Sequence, residues 1–196
     1  PHAGLPRAEV LRRIRAMIEA LQLQNREVSF LLTDDERIHQ LNKVYRGKDR
    51  PTDVLAFAMQ EGELAELAGA VLGDVIVSVP TARKQADERG VAVEDEVTML
   101  LAHGLLHLLG WDHETPAEDR RMRAETERLC RAAGAPGAAE AARKSAPGPA
   151  ATARAPRSKG GADQALSRNR SAVQRPSRGR KVQAPHHVKA RRSRKG

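Results

Sequence analysis

The sequence predicts an α+β fold: a small mixed β-sheet packed with about five helices, forming a single compact domain over 1–133, then a disordered C-terminal tail over 134–196. Three observations predict it. Segments with helical apolar spacing are interleaved with short β-type runs. One segment, 97–109, is apolar almost all round and so belongs in the middle of a core. The composition changes sharply at Gly134.

Taken in order, Val10, Ile14, Met17, Ile18 and Leu21 repeat with helical spacing and predict an amphipathic helix over about 6–23. "EVSFLLT" reads as a strand. Asp34 then reads as the N-cap of a helix to about Tyr45, with Ile38, Leu41 and Tyr45 on its buried face. "RGKDRPTD", 46–53, is a polar loop, and "VLAFAM" a short strand. "EGELAELAGA" fits either a loop or a short edge helix. "GDVIVSV" is a strand whose continuous apolar run implies burial on both faces. Pro80 starts a helix that Gly90 stops near Arg89. The next helix begins near Glu94, with Glu94, Asp95 and Glu96 favouring its dipole, and ends at Leu109 before Gly110. "TPAE", 115–118, is a capping box opening a last helix to about Ala133 that carries Met122 and Leu129. No internal repeat is present.

Charge is divided unevenly. Residues 134–196 hold 16 Lys and Arg against 2 acids, or +14, while 1–133 hold 18 against 23, or −5. The pI of about 10.4 thus belongs to the tail, which has no Phe, Trp or Tyr and cannot bury enough apolar surface to offset its ordering entropy. Its runs "RGRKVQ" and "KARRSRKG" could hold phosphates electrostatically, so the tail is expected to bind a nucleic acid such as RNA nonspecifically. His186 and His187 in the tail point weakly at best to a metal. Cys130, the single cysteine, excludes an internal disulfide and a cysteine-based zinc site, and reads as a small apolar helix residue. No apolar run spans a membrane, and the arginine-bearing N-terminus lacks a signal-peptide core, so no membrane association and a cytoplasmic setting are expected.

The informative stretch is "HGLLHLLGWDH", His103–His113. His103 and His107 lie four apart on one helix face and can grip one cation. Gly110 lets the chain turn back, so His113 can supply a third nitrogen. Three histidines leave one tetrahedral position open, as in catalytic rather than structural zinc sites. A zinc ion there lowers the pKa of its water to about 7. Imidazole also suits nickel, copper and iron. Asp112 is either an acceptor for a ligand N–H or a cap of the turn. Trp111 either packs the loop or stacks on a base. The spacing is also that of the metzincin proteases, but their catalytic glutamate follows the first histidine, where this chain has Gly104. Peptide hydrolysis is therefore the second choice.

"HGLLHLLGWDH" closely resembles the signature of the YbeY-type rRNA maturation endoribonucleases, in which Gly follows the first His and the pattern ends in Asp-His. "NKVYRGKDRPTDVLAF", 42–57, looks like the arginine-bearing segment of that family and "LGDVIVS", 72–78, like its core strand. The helix bearing Met122 also fits, and the resemblance covers about 5–133. "AFAM" departs from the Ser-Phe-Pro common there. The resemblance implies a single-strand-specific metallo-endoribonuclease acting in 16S rRNA 3′-end maturation and ribosome quality control. It implies one zinc ion per chain on His103, His107 and His113, and partners that include single-stranded RNA, rRNA and the small ribosomal subunit. Arg46 matches the family's arginine. It and His103 are the candidate catalytic residues, with Arg46 steadying the phosphate while metal-activated water attacks. Lys48 and Arg50 are expected to position RNA. No general base is assigned. The alternatives are a metzincin-like protease and a noncatalytic ribosome-assembly factor with a structural metal.

Overall fold

Alternating side chains give the sheet two apolar faces, and each is covered by helix. The structure, a computed structural model, describes residues 5–59, 69–144 and 152–153. The elements are α1 (Arg7–Ala20), β1 (Glu27–Thr33), α2 (Asp35–Arg46), β2 (Val54–Ala58), β3 (Val71–Ser78), α3 (Val79–Arg89), α4 (Val93–Leu108), α5 (Pro116–Ala132), α6 (Pro136–Lys144) and β4 (Thr152–Ala153). The strand order is β1-β3-β2-β4. β3 runs parallel to β1 and antiparallel to β2, and β4 parallel to β2, so the sheet is mixed and the fold α+β. Of the ambiguous "EGELAELAGA" segment, 61–68 lies outside the described residues.

Val54, Ala56 and Ala58 of β2, with Val75 and Val77 of β3, point to one side and join the main core. Leu55 and Ile76 point to the other and close on Ile38 of α2, with Leu41 and Phe57 at the edge. This is the period of two expected of strands buried on both faces. α4 is the central helix and packs against β2, β3, α1, α3, α5 and α6. From Glu96 to Leu108 only His103 on it is not fully buried.

Local signals act as the sequence predicts. The Asp34 carboxylate accepts the Arg37 backbone N–H at 2.8 Å. Thr115 and Glu118 close the reciprocal capping box of α5. Gly90 caps α3. Cys130 is buried and unpaired, and burial pushes its thiol up to about 12, as suits an inert apolar residue. α1 ends earlier than the apolar repeat suggests, because Gln22 takes φ +56°.

The 1–133 boundary is too short. The segment expected to be disordered contributes α6, whose Ala138, Ala139, Ala141 and Ala142 are buried against α4 and α5. It also contributes β4, which pairs with Ala56 and Phe57. Gly137 permits the close approach of α6, since a Cβ there would stand 1.9 Å from an Asp95 carboxylate oxygen. In the composition of 134–196 the basic residues outweigh this short alanine stripe, which buries apolar surface with almost no loss of side-chain entropy. The remainder of the predicted tail lies outside the described residues.

Among the described residues, one carboxylate lies inside the core. Glu96 of α4 is fully buried and pairs with Arg89, the last residue of α3. Burial raises its pKa, against the opposing pull of Arg89. Arg89→Ala is expected to destabilise the fold by about 3–5 kcal/mol at neutral pH, since it strands a buried carboxylate. The deficit in urea unfolding should shrink as acid protonates Glu96.

Candidate metal centre

Two imidazoles on a buried helix face a third from the loop that follows. His103 and His107 lie one turn apart on α4, and their Nε2 atoms stand 3.1 Å apart. Their ring centroids are 4.7 Å apart, and His113 lies 5.5 and 5.3 Å from the two. One ligand nitrogen from each ring falls within 4.8 Å of the others, so the trio could hold a metal ion. Three nitrogens at zinc-like bond lengths in a tetrahedron would be roughly 3.3 Å apart, close to the observed pair.

The turn is built by Gly110, at φ +80°, which few other residues adopt. The Trp111 N–H donates to the Leu106 carbonyl at 3.1 Å, folding the loop back over the helix end. His107 Nδ1–H then donates to the Trp111 carbonyl at 2.9 Å. That bond leaves the Nε2 lone pair facing the other rings, the arrangement a metal ligand needs. Asp112 takes the capping role, its carboxylate accepting the His113 backbone N–H at 2.8 Å. Trp111 supplies the acceptor for the ligand N–H through its backbone, which no side-chain reading of the sequence would find.

Electrostatics prepare the same donors. Burial lowers the pKa of His103 to about 4, with smaller opposing effects from Asp53 and Asp119. Burial lowers that of His107 to about 3, assisted by His103, His113 and Arg46. Both rings are therefore neutral near pH 7. The Nε2 of His113 is buried without a hydrogen-bond partner. An orphaned buried nitrogen beside two neutral imidazoles fits a divalent cation.

Gly104 explains why the protease pattern fails. It sits about 100° round the helix from His103, and a Cβ there would come within 2.5 Å of Val75 Cγ1 and 3.2 Å of Val54 Cγ2. The position therefore faces the sheet, where a glutamate side chain has no room.

Arg46 is the last residue of α2 and half-buried. Burial lowers its pKa, and the nearby charge of Arg50 lowers it further. Its own charge reaches His107. Lys48 is half-buried and Arg50 exposed on the loop that follows. Asn42 shapes that loop, donating from Nδ2 to the Arg50 carbonyl at 2.8 Å, while its backbone carbonyl accepts the Lys48 N–H at 3.2 Å. Asp53 ends the same loop, immediately before β2. Its carboxylate accepts the Val54 N–H at 2.8 Å and the Gln85 side-chain N–H at 3.0 Å, and its charge acts on His103. A lone Asp before a strand gives no such signal in the sequence.

A helix-borne pair of histidines with a third on a glycine turn, with the charge of Arg46 acting on one of them, defines a candidate metal centre. A model of the family described as endoribonuclease YbeY matches residues 5–134. The chain belongs to that family. Similar proteins include endoribonuclease YbeY of Sulfurihydrogenibium sp. strain YO3AOP1, 50% identical over 106 residues, covering 54% of this chain and 68% of that one. That of Heliobacterium modesticaldum is 49% identical over 117 residues, 56% and 70% of the two chains. That of Aquifex aeolicus is 49% identical over 111 residues, 56% and 71%. Among the described residues, no helix is long and apolar enough to cross a membrane.

Two outcomes follow from this geometry. Gly104→Ala should lower stability by about 1–3 kcal/mol in chemical unfolding, because Val75 must move. In metal-free protein, the folded-state pKa values of His103 and His107 lie below 6.5, so protonation favours the unfolded chain. Their contribution is present above pH 6.5 and is lost as pH falls towards about 4 and 3. Urea midpoints should drop across that window, and less steeply in a His103→Asn, His107→Asn double variant.

Proposed function

We propose that the chain is a metal-dependent endoribonuclease that hydrolyses single-stranded RNA. In this reading His103, His107 and His113 hold one divalent ion, zinc by the family resemblance. The supporting observation is the convergence of the three rings, with their ligand nitrogens within 4.8 Å and one buried nitrogen unsatisfied. A divalent ion held there supplies a Lewis acid and an acidified water.

The chain's own side chains do the rest. Arg46 binds the non-bridging oxygens of the phosphate under attack through two parallel N–H donors, where negative charge builds. Arg50 lies near enough to disfavour the charge on Arg46, and a phosphate between them relieves that repulsion. Lys48 and Arg50 position neighbouring phosphates along the strand. Burial keeps His103 and His107 neutral as ligands, so neither is a proton donor near pH 7. Asp53, tethered by Gln85 and the Val54 N–H, acts electrostatically on His103.

The proposal extends to the family setting: rRNA as substrate, the small ribosomal subunit as partner, 16S rRNA 3′-end maturation and quality control as the task, in the cytoplasm. After Lys144 the sequence carries 14 basic residues and one acid, suited to nonspecific phosphate contact. Truncation there should flatten the salt dependence of RNA binding, and an unchanged slope would remove the tail from the account. The protease alternative lacks its glutamate, since position 104 faces the sheet.

The test is cleavage of a single-stranded oligoribonucleotide, with metal content measured for each variant. Arg46→Ala should lower kcat by about 10²–10³ while keeping its metal. Arg46→Lys should recover little, because an ammonium cannot make the paired contact. His107→Ala should lose both metal and turnover. Undiminished turnover in metal-free His107→Ala protein would overturn the mechanism. Intact RNA with metal-loaded wild type, and unfolding on metal removal, would favour the noncatalytic alternative.

A further inference from the structure

The metal loop borders a cleft that the cleavage mechanism leaves unused. Its lining is Leu109, Gly110, Trp111, Asp112, Glu118 and Arg121, and its volume is about 340 Å³. That lies within the range of small-ligand pockets. Trp111 is 37% exposed, although Leu105, Leu106 and Leu108 just before it are buried. The other large aromatics are engaged. Tyr45 and Phe57 pack edge to face with centroids 5.1 Å apart, and Phe30 lies against the main core. Trp111 is therefore the exposed aromatic among them.

Its backbone is fixed on both sides, by the bond to the Leu106 carbonyl and by the bond from His107 Nδ1. The indole is thus presented from a rigid point one hydrogen bond away from a metal ligand. Charge decides what can enter. Asp112 and Glu118 set two carboxylates against one guanidinium, Arg121. Both acids are held by protein donors, Asp112 by the His113 N–H and Glu118 by the Thr115 N–H and hydroxyl. A phosphate is repelled from such a rim. A neutral, flat ring with N–H donors at its edge is not, and an indole face offers it a stacking surface in water.

We propose that Trp111 and this cleft form a nucleobase subsite, stacking an unpaired base next to the phosphate cleaved at the three histidines. The inference rests on the endoribonuclease reading and specifies how the strand is held. A base locked in a duplex cannot stack there, so the subsite selects single strands.

Trp111 is the only tryptophan of the chain, so its emission reports the subsite directly. The probes are a single-stranded oligoadenylate and an abasic ribose-phosphate oligomer of equal length, added to the full chain. Oligoadenylate should quench the emission and the abasic oligomer should not. Trp111→Ala should raise KM for RNA by about 5- to 100-fold while kcat changes by less than about threefold, and Trp111→Phe should restore most of the affinity. Thermal unfolding confirms that each variant is folded, and Trp111→Phe together with the quenching carries the test should Trp111→Ala unfold. A KM unchanged in Trp111→Ala, or equal quenching by the abasic oligomer, would overturn the subsite while RNA cleavage stands. Failure of the wild type to cleave or bind RNA would remove the endoribonuclease reading and the subsite with it.

Discussion

Everything at the site depends on how closely α4 lies on the sheet. Gly104 brings the helix backbone so near β2 and β3 that a single added carbon would collide with Val75. With that contact fixed, the rotation of the helix is fixed, and His103 and His107 share the flank that meets His113 instead of the one that meets the sheet. The same burial that holds the helix removes water from the two rings and keeps them uncharged. Packing and ligand chemistry are therefore one constraint: a looser helix would lose both the direction of its histidines and their neutrality.

The fold assembles the site from two sides of one sheet. α4 and its glycine turn supply imidazole nitrogens from the main core. α2 lies across the opposite face, where Ile38 closes on Leu55 and Ile76, and its last residue is Arg46. The short loop after Arg46 leads through Asp53 into β2, so one segment carries both the guanidinium whose charge acts on His107 and the carboxylate whose charge acts on His103. Asn42 and Gln85 tie that segment down. In the proposed reading, a negatively charged body needs only this local cationic segment, and no overall basic surface, to address a phosphate.

Much of this was legible in the residues. The apolar circumference of α4, the caps at Asp34 and Thr115, the stop at Gly90 and the double-sided burial of β3 each follow from local chemistry that tertiary packing did not override. The histidine spacing carried the centre because helical periodicity and a glycine turn are short-range. What the sequence did not display depends on contacts made at a distance. The partner of His107 is a backbone carbonyl, which any residue at 111 would supply. Asp53 and Gln85 meet only after β2 and α3 are placed. α6 does not stand out in composition, since four alanines on a nine-residue helix are outweighed by the basic run that follows. Gly104 could be read as the absence of a glutamate, but its positive role in seating the helix appears only when the sheet is present.

The central claim is that three imidazoles converge on a single ion with one position open. Titration of metal-stripped protein with cobalt(II), followed by visible absorption, examines it most directly, because the spectrum reports both the number of ions and their coordination. The account predicts intense four-coordinate bands that saturate at one equivalent and shift when an anion or RNA occupies the open position. Weak octahedral absorption with no endpoint, or a spectrum indifferent to added ligand, would contradict it.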